Sequence, residues 1–144
     1  VVGFTLEGVA FLSPLSVESV DPLYPPEGYE PEKLDYCAAH ANANGQYHQH
    51  SAGGCQPPAI ATCTSGPSCI PSNWSAAILQ GFDSKNGLQL IGFAVDGFPI
   101  YGPYDEFGNL HTNLDNCNGK AFNGSYAYFT TPSWPYLPAC FGPG

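Results

Sequence analysis

The chain opens with a short apolar run interrupted by an acidic residue and a glycine: Val2-Gly3-Phe4-Thr5-Leu6, then Glu7-Gly8, then Val9-Ala10-Phe11-Leu12. The same alternation returns as Ile91-Gly92-Phe93-Ala94-Val95, Asp96-Gly97 and Phe98-Pro99-Ile100-Tyr101. Brief apolar stretches around Glu-Gly or Asp-Gly predict tight β-hairpins, because glycine readily supplies the positive φ of such turns. Two more blocks recur in the same order: Leu34-Asp35-Tyr36-Cys37 as Leu114-Asp115-Asn116-Cys117, and Gly45-Gln46-Tyr47-His48-Gln49-His50 as Gly124-Ser125-Tyr126-Ala127-Tyr128-Phe129. A cysteine closes each set, Cys55 and Cys140. Ordered recurrence of this kind predicts an internal two-fold repeat within a single domain 1–144: copy one 1–55, a connecting segment 56–89, and copy two 90–144.

Between these blocks the pattern is irregular. The run from Asp21 to Pro31 is too proline-rich for a helix or a central strand and predicts a surface loop. Ser75 to Gln80, following Asn73, is the one short helical stretch. Ile78-Leu79-Gln80-Gly81-Phe82 and Leu88-Gln89-Leu90 are expected to supply strands beside the second hairpin. The first hairpin starts at Val2 with no such neighbour before it. With 17 Gly and 15 Pro among 144 residues, long helices are disfavoured. The expected fold class is all-β or β-rich with much irregular loop, in a compact, disulfide-stapled domain.

Charge narrows the partners. Three basic residues stand against twelve acids, a formal net charge of −9, so phosphate-rich nucleic acid and anionic membrane surfaces are unsuitable partners. No apolar run is long enough for a membrane span, and no leader pattern opens the chain, which reads as a mature secreted protein. Six cysteines and the sequons at Asn73 and Asn123 point to an oxidising, extracellular setting and to N-glycans. If pairing follows the repeat, Cys37 joins Cys55, Cys117 joins Cys140, and Cys63 joins Cys69.

His48 and His50 are two apart, so on a strand both imidazoles share a face, and His40 lies in the same disulfide loop. Neutral imidazoles in such a set suit copper or zinc, while packing against Tyr47 or bonding to backbone carbonyls is the structural alternative. Calcium is a lesser option, at Asp35 and Asp115 with Asn42, Asn44, Asn116 and Asn118; turn-fixing is the competing role for those aspartates. Glu7 and Asp96 occupy matching repeat positions, where a carboxylate dyad competes with simple turn chemistry. Tyr126, Tyr128, Phe129, Trp134 and Tyr136 form an aromatic cluster suited to a core or to stacking on sugars. His111 carries no separate signal. No nucleophile elbow, phosphate loop or dinucleotide fingerprint is present.

The segments Leu34 to His40, Gly45 to His50, Ile91 to Pro103 and Leu114 to Lys120 together resemble the YHYH-domain proteins, a largely secreted family named for a Tyr-His-Tyr-His motif. The motif stands here as Tyr47-His48-Gln49-His50 in copy one and as Tyr126-Ala127-Tyr128-Phe129 in copy two. Where the family often places a histidine after the second-copy cysteine, this chain has Lys120.

The functional expectation is a secreted, non-catalytic structural subunit. An apolar terminal strand without a partner is a template for another copy, so Val1, Val2, Phe4 and Leu6 are candidate assembly residues for a head-to-tail filament. The alternatives are a copper- or zinc-binding protein using His40, His48 and His50, and an extracellular carbohydrate-active enzyme.

Overall fold

A computed structural model describes residues 1–53, 55 and 70–144. Its strands are β1 (Gly3–Thr5), β2 (Ala10–Phe11), β3 (Ala39–Ala41), β4 (Tyr47–Gln49), β5 (Leu90–Ala94), β6 (Pro99–Tyr101), β7 (Gly119–Phe122) and β8 (Ser125–Phe129). All belong to one eight-stranded sheet in the order β3-β4-β2-β1-β5-β6-β8-β7. The order has a centre. On one side β1 pairs antiparallel with β2, β2 parallel with β4, and β4 antiparallel with β3; on the other, β5, β6, β8 and β7 are joined in the same sequence of senses.

The two sides meet where β1 runs antiparallel to β5, with Gly3 opposite Ala94, Phe4 opposite Phe93 and Thr5 opposite Gly92. Here glycine serves close approach. A Cβ on Gly92 would lie 2.0 Å from the Phe4 carbonyl oxygen, and one on Gly3 would lie 2.7 Å from that of Phe93. Strand β1 is therefore central, hydrogen-bonded on both sides within its own chain. This corrects the expectation of an N-terminal strand lacking a partner: its partner is the second hairpin. It also corrects the expected strands beside that hairpin, since Ile78 to Gln80 are helical and Leu88-Gln89 simply lead into β5.

The helix α1 (Trp74–Gln80) begins at Asn73, whose side chain accepts a hydrogen bond from the Ala76 N–H at 3.0 Å and so satisfies an otherwise orphan donor. It buries Trp74 and Ile78 against a core that includes Phe11, Ile91, Ile100, Tyr128, Tyr136 and Leu137. Of the aromatic cluster, Tyr126, Tyr128, Phe129 and Tyr136 are buried, which makes them packing residues, while Trp134 is exposed. The Tyr136 hydroxyl donates to the Asp21 carboxylate at 2.9 Å, pinning the proline-rich loop to the core. Burial of the phenol, then its hydrogen bond to the Asp21 carboxylate, push Tyr136 well above its usual range.

Two disulfides, Cys37–Cys55 and Cys117–Cys140, staple the loops that lead to β3 and β7. The expected Cys63–Cys69 pair lies outside the described residues.

Candidate metal centre

The loop entering β3 is organised by Asp35. Its Oδ1 accepts the N–H groups of Cys37 and Ala39 at 2.9 and 3.1 Å, and its Oδ2 accepts the Tyr47 hydroxyl at 2.5 Å. Asp115 does the same before β7, accepting Cys117, Gly119 and the Tyr126 hydroxyl at 2.9, 3.0 and 2.8 Å. Burial pushes the Asp115 carboxyl up, but these hydrogen bonds outweigh it and hold the group below the usual carboxylate range. Both aspartates are thus engaged by their own loops, in the turn-fixing role.

The strand pair they hold in place carries the histidines. His40 on β3 is directly opposite His48 on β4, and His50 follows one residue beyond the end of β4, on the same face as His48. His48 and His50 are 2% and 3% exposed; His40 is half-buried. The Nε2 atom of His50 lies 3.1 Å from Nε2 of His48 and 3.3 Å from Nε2 of His40. Donor atoms of all three rings fall within 4.8 Å of one another, and among the described residues this is the one group of histidine, cysteine or carboxylate side chains so clustered.

The far side of each ring decides what the near side can do. His48 Nδ1 faces the Gln46 carbonyl at 3.0 Å and His50 Nδ1 faces the Ser13 carbonyl at 3.2 Å. A carbonyl oxygen has no proton to give, so Nδ1 must carry it, and Nε2 of the neutral ring is then a bare lone pair. Two lone pairs 3.1 Å apart cannot hydrogen-bond to each other. Burial, then the neighbouring His48, pushes the His50 imidazole down to about 4, so His50 is a poor carrier of a proton at neutral pH. His40 is lowered as well, again chiefly by burial and then by His48, against the opposing pull of Glu32, whose carboxylate is 3.8 Å from its Nδ1. The arrangement is that of ligating histidines whose second nitrogen is held by an outer partner. Zinc–nitrogen bonds of about 2.0–2.1 Å in tetrahedral geometry separate ligand atoms by about 3.3–3.4 Å, close to the two spacings that His50 makes, with His48 and with His40.

The corresponding place on the other side of the sheet is filled differently. Lys120 pairs across from Ala127 on β7 and β8, as His40 does from His48, and Phe129 ends β8. The Lys120 ammonium lies 3.2 Å from His111 Nδ1 and 5.1 Å from the Phe129 ring centre. This corner holds a covalently attached cation where the first holds three imidazoles. Sequence reasoning gave His111 no role because residues 111 and 120 meet only through the fold.

Burial, then the Lys120 charge, pushes His111 down to about 4. The unfolded chain takes up a proton on this ring below about pH 6.5 whereas the folded one resists until about 4, so stability present above 6.5 is lost as pH falls between the two. With the ring only half-buried, solvent screening trims the loss to about 1–2 kcal/mol. His111→Gln is expected to flatten the fall in urea midpoint between pH 7.5 and 4.5; an identical fall in both proteins would show that this ring takes up protons equally in the folded and unfolded states.

Glu7 and Asp96 sit in separate hairpin turns, β1–β2 and β5–β6. Asp96 is spoken for by the Tyr128 hydroxyl at 2.6 Å.

The family model described as YHYH protein matches residues 1–110, a stretch that contains β1 to β6 and all three clustered histidines. The chain belongs to the YHYH family. Searches of curated proteins and of solved structures return no match. Within the matched stretch, the motif for which the family is named contributes two of the three converging imidazoles, His48 and His50, and β3 contributes the third.

Proposed function

We propose that this YHYH protein is a secreted metal-binding protein that holds one copper or zinc ion between His40, His48 and His50. The observation that carries the reading is the facing of two bare Nε2 lone pairs, on His48 and His50, whose other nitrogens are committed to backbone carbonyls. A divalent cation resolves that conflict, and imidazole sets of this kind favour copper over zinc at equal availability. The two disulfides support an oxidising compartment outside the cell. The exposed sequon residues Asn73 and Asn123, the latter in a positive-φ turn with Gly124, would leave glycans clear of the core.

The test is titration of metal-stripped protein with Cu(II) or Zn(II), followed by calorimetry and thermal unfolding. One equivalent is expected to bind. Free metal at 100 times Kd adds about 2.7 kcal/mol, which raises the melting midpoint by about 5–10 °C for a chain of this size. Binding well below one equivalent, or an unmoved midpoint, would overturn the reading.

A structural, self-assembling role is the second reading. Its support is now the exposed apolar strip of Val1, Phe4, Leu6, Phe93 and Val95, each 45–52% exposed, rather than a missing strand partner; Val2 is instead packed against the core. Negative-stain microscopy of the same preparation separates the two: filaments favour assembly, dispersed monomers count against it.

A further inference from the structure

Among the described residues, the three histidines stand alone as candidate ligands and leave the site open. Zinc and copper in nitrogen sites of this type take a fourth ligand, and a site with only three protein ligands keeps one position for water or an incoming molecule. Among the described residues no other histidine, cysteine or carboxylate joins the cluster, and the chain has no methionine. Glu32 lies on the outer side of His40, at Nδ1 rather than at the convergent Nε2 atoms. Asp35 is held by its own loop and by Tyr47.

The histidines also form part of the lining of a cavity of about 560 Å³. Leu12 and Leu15 line it from the loop that follows β2, with Val17 at its exposed margin, and Ala41 to Asn44 line it from the end of β3 and the β3–β4 turn. Asn42 is itself engaged, accepting the backbone N–H groups of Asn44 and Gln46 at 3.0 Å each, so it shapes that side more than it seeks a partner. Glu32 is the one charged residue among the lining residues, which disfavours a ligand whose body carries a negative charge.

We propose that the metal keeps an exchangeable fourth position facing this cavity, and that the cavity takes a compact, uncharged molecule with a nitrogen or oxygen donor on an apolar body. The donor would complete the coordination sphere while the body packs against Leu12 and Leu15. This extends the metal-binding reading and rests on it. Concave sites with an apolar wall and a few placed polar groups are the usual form of small-molecule sites, and the cavity is large enough for a bicyclic or biaryl ligand.

The test uses the full chain loaded with Co(II), whose visible spectrum reports coordination, titrated with imidazole and with 4-phenylimidazole while desalting confirms that cobalt stays on the protein. Both probes are expected to shift the spectrum, 4-phenylimidazole binding at least about tenfold more tightly, and Leu15→Ser is expected to remove most of that preference without changing cobalt uptake. A stable one-to-one cobalt complex that responds to neither probe would overturn the open position while leaving the metal site standing. Equal affinity for the two probes would overturn the apolar cavity as the recognition surface. Failure to take up cobalt at all would overturn the metal reading and this inference with it.

Discussion

Replacing His48 with alanine is expected to abolish metal-dependent stabilisation while leaving the metal-free protein nearly as stable as before. Removing a ligand should cost more than the about 10–100-fold typical of an outer partner, so the metal-induced rise in melting midpoint disappears at working concentrations. The metal-free comparison is the sharper half. Truncating a buried side chain ordinarily destabilises a protein, but here the lost ring also removes the lone-pair opposition with His50 at 3.1 Å. The two effects offset, and the urea midpoint of the stripped variant should fall within about 1 kcal/mol of the stripped parent. If the stripped variant were instead far less stable, the cluster would be a packed, internally satisfied feature of the core, and the case for a bound cation would fail.

The largest effect on folding is expected from Gly92→Ala. The added methyl would stand 2.0 Å from the Phe4 carbonyl oxygen and 2.9 Å from its carbon, both backbone atoms that cannot swing aside. Relief requires β1 and β5 to part, and they form the seam between the two sides of the sheet. The loss should reach or exceed the upper end of the about 1–3 kcal/mol usual for overpacking. Gly97→Ala provides the contrast. That residue has φ of 91° but nothing within 4 Å of an added Cβ, so its cost is the conformational one of about 1 kcal/mol. Comparable urea midpoints for the two variants would mean that the seam tolerates opening and is not the fold's structural join.

Much of this architecture is legible in the chain itself because it depends on local chemistry. The hairpins at Glu7-Gly8 and Asp96-Gly97 follow from turn residues, the helix after Asn73 from its cap, and the shared face of His48 and His50 from strand alternation. The loop roles of Asp35 and Asp115 are readable for the same reason: each carboxylate reaches amides two and four residues on. What could not be read is pairing between distant segments. The recurring Gly-Phe of Gly3-Phe4 and Gly92-Phe93 marks the repeat, yet only the antiparallel contact of β1 with β5 reveals why a glycine stands at each place. The parallel pairing of β2 with β4 brings the Ser13 carbonyl to His50, and no local rule anticipates a contact across 37 positions. The Lys120 corner was invisible for the same reason.

Among the described residues, strand β3 lies at a margin of the sheet, three residues long and paired on one side with β4. Such margins fray first, and their amides exchange with solvent fastest. The opposite margin, β7, has the Lys120 ammonium tied to His111 as a permanent part of the polypeptide. At β3 the equivalent fastening would exist only while the surroundings supply an ion. On the proposed metal-binding reading, β3 would therefore be held more firmly with an ion between His40, His48 and His50 than without one, over and above the hold of its disulfide and of Asp35.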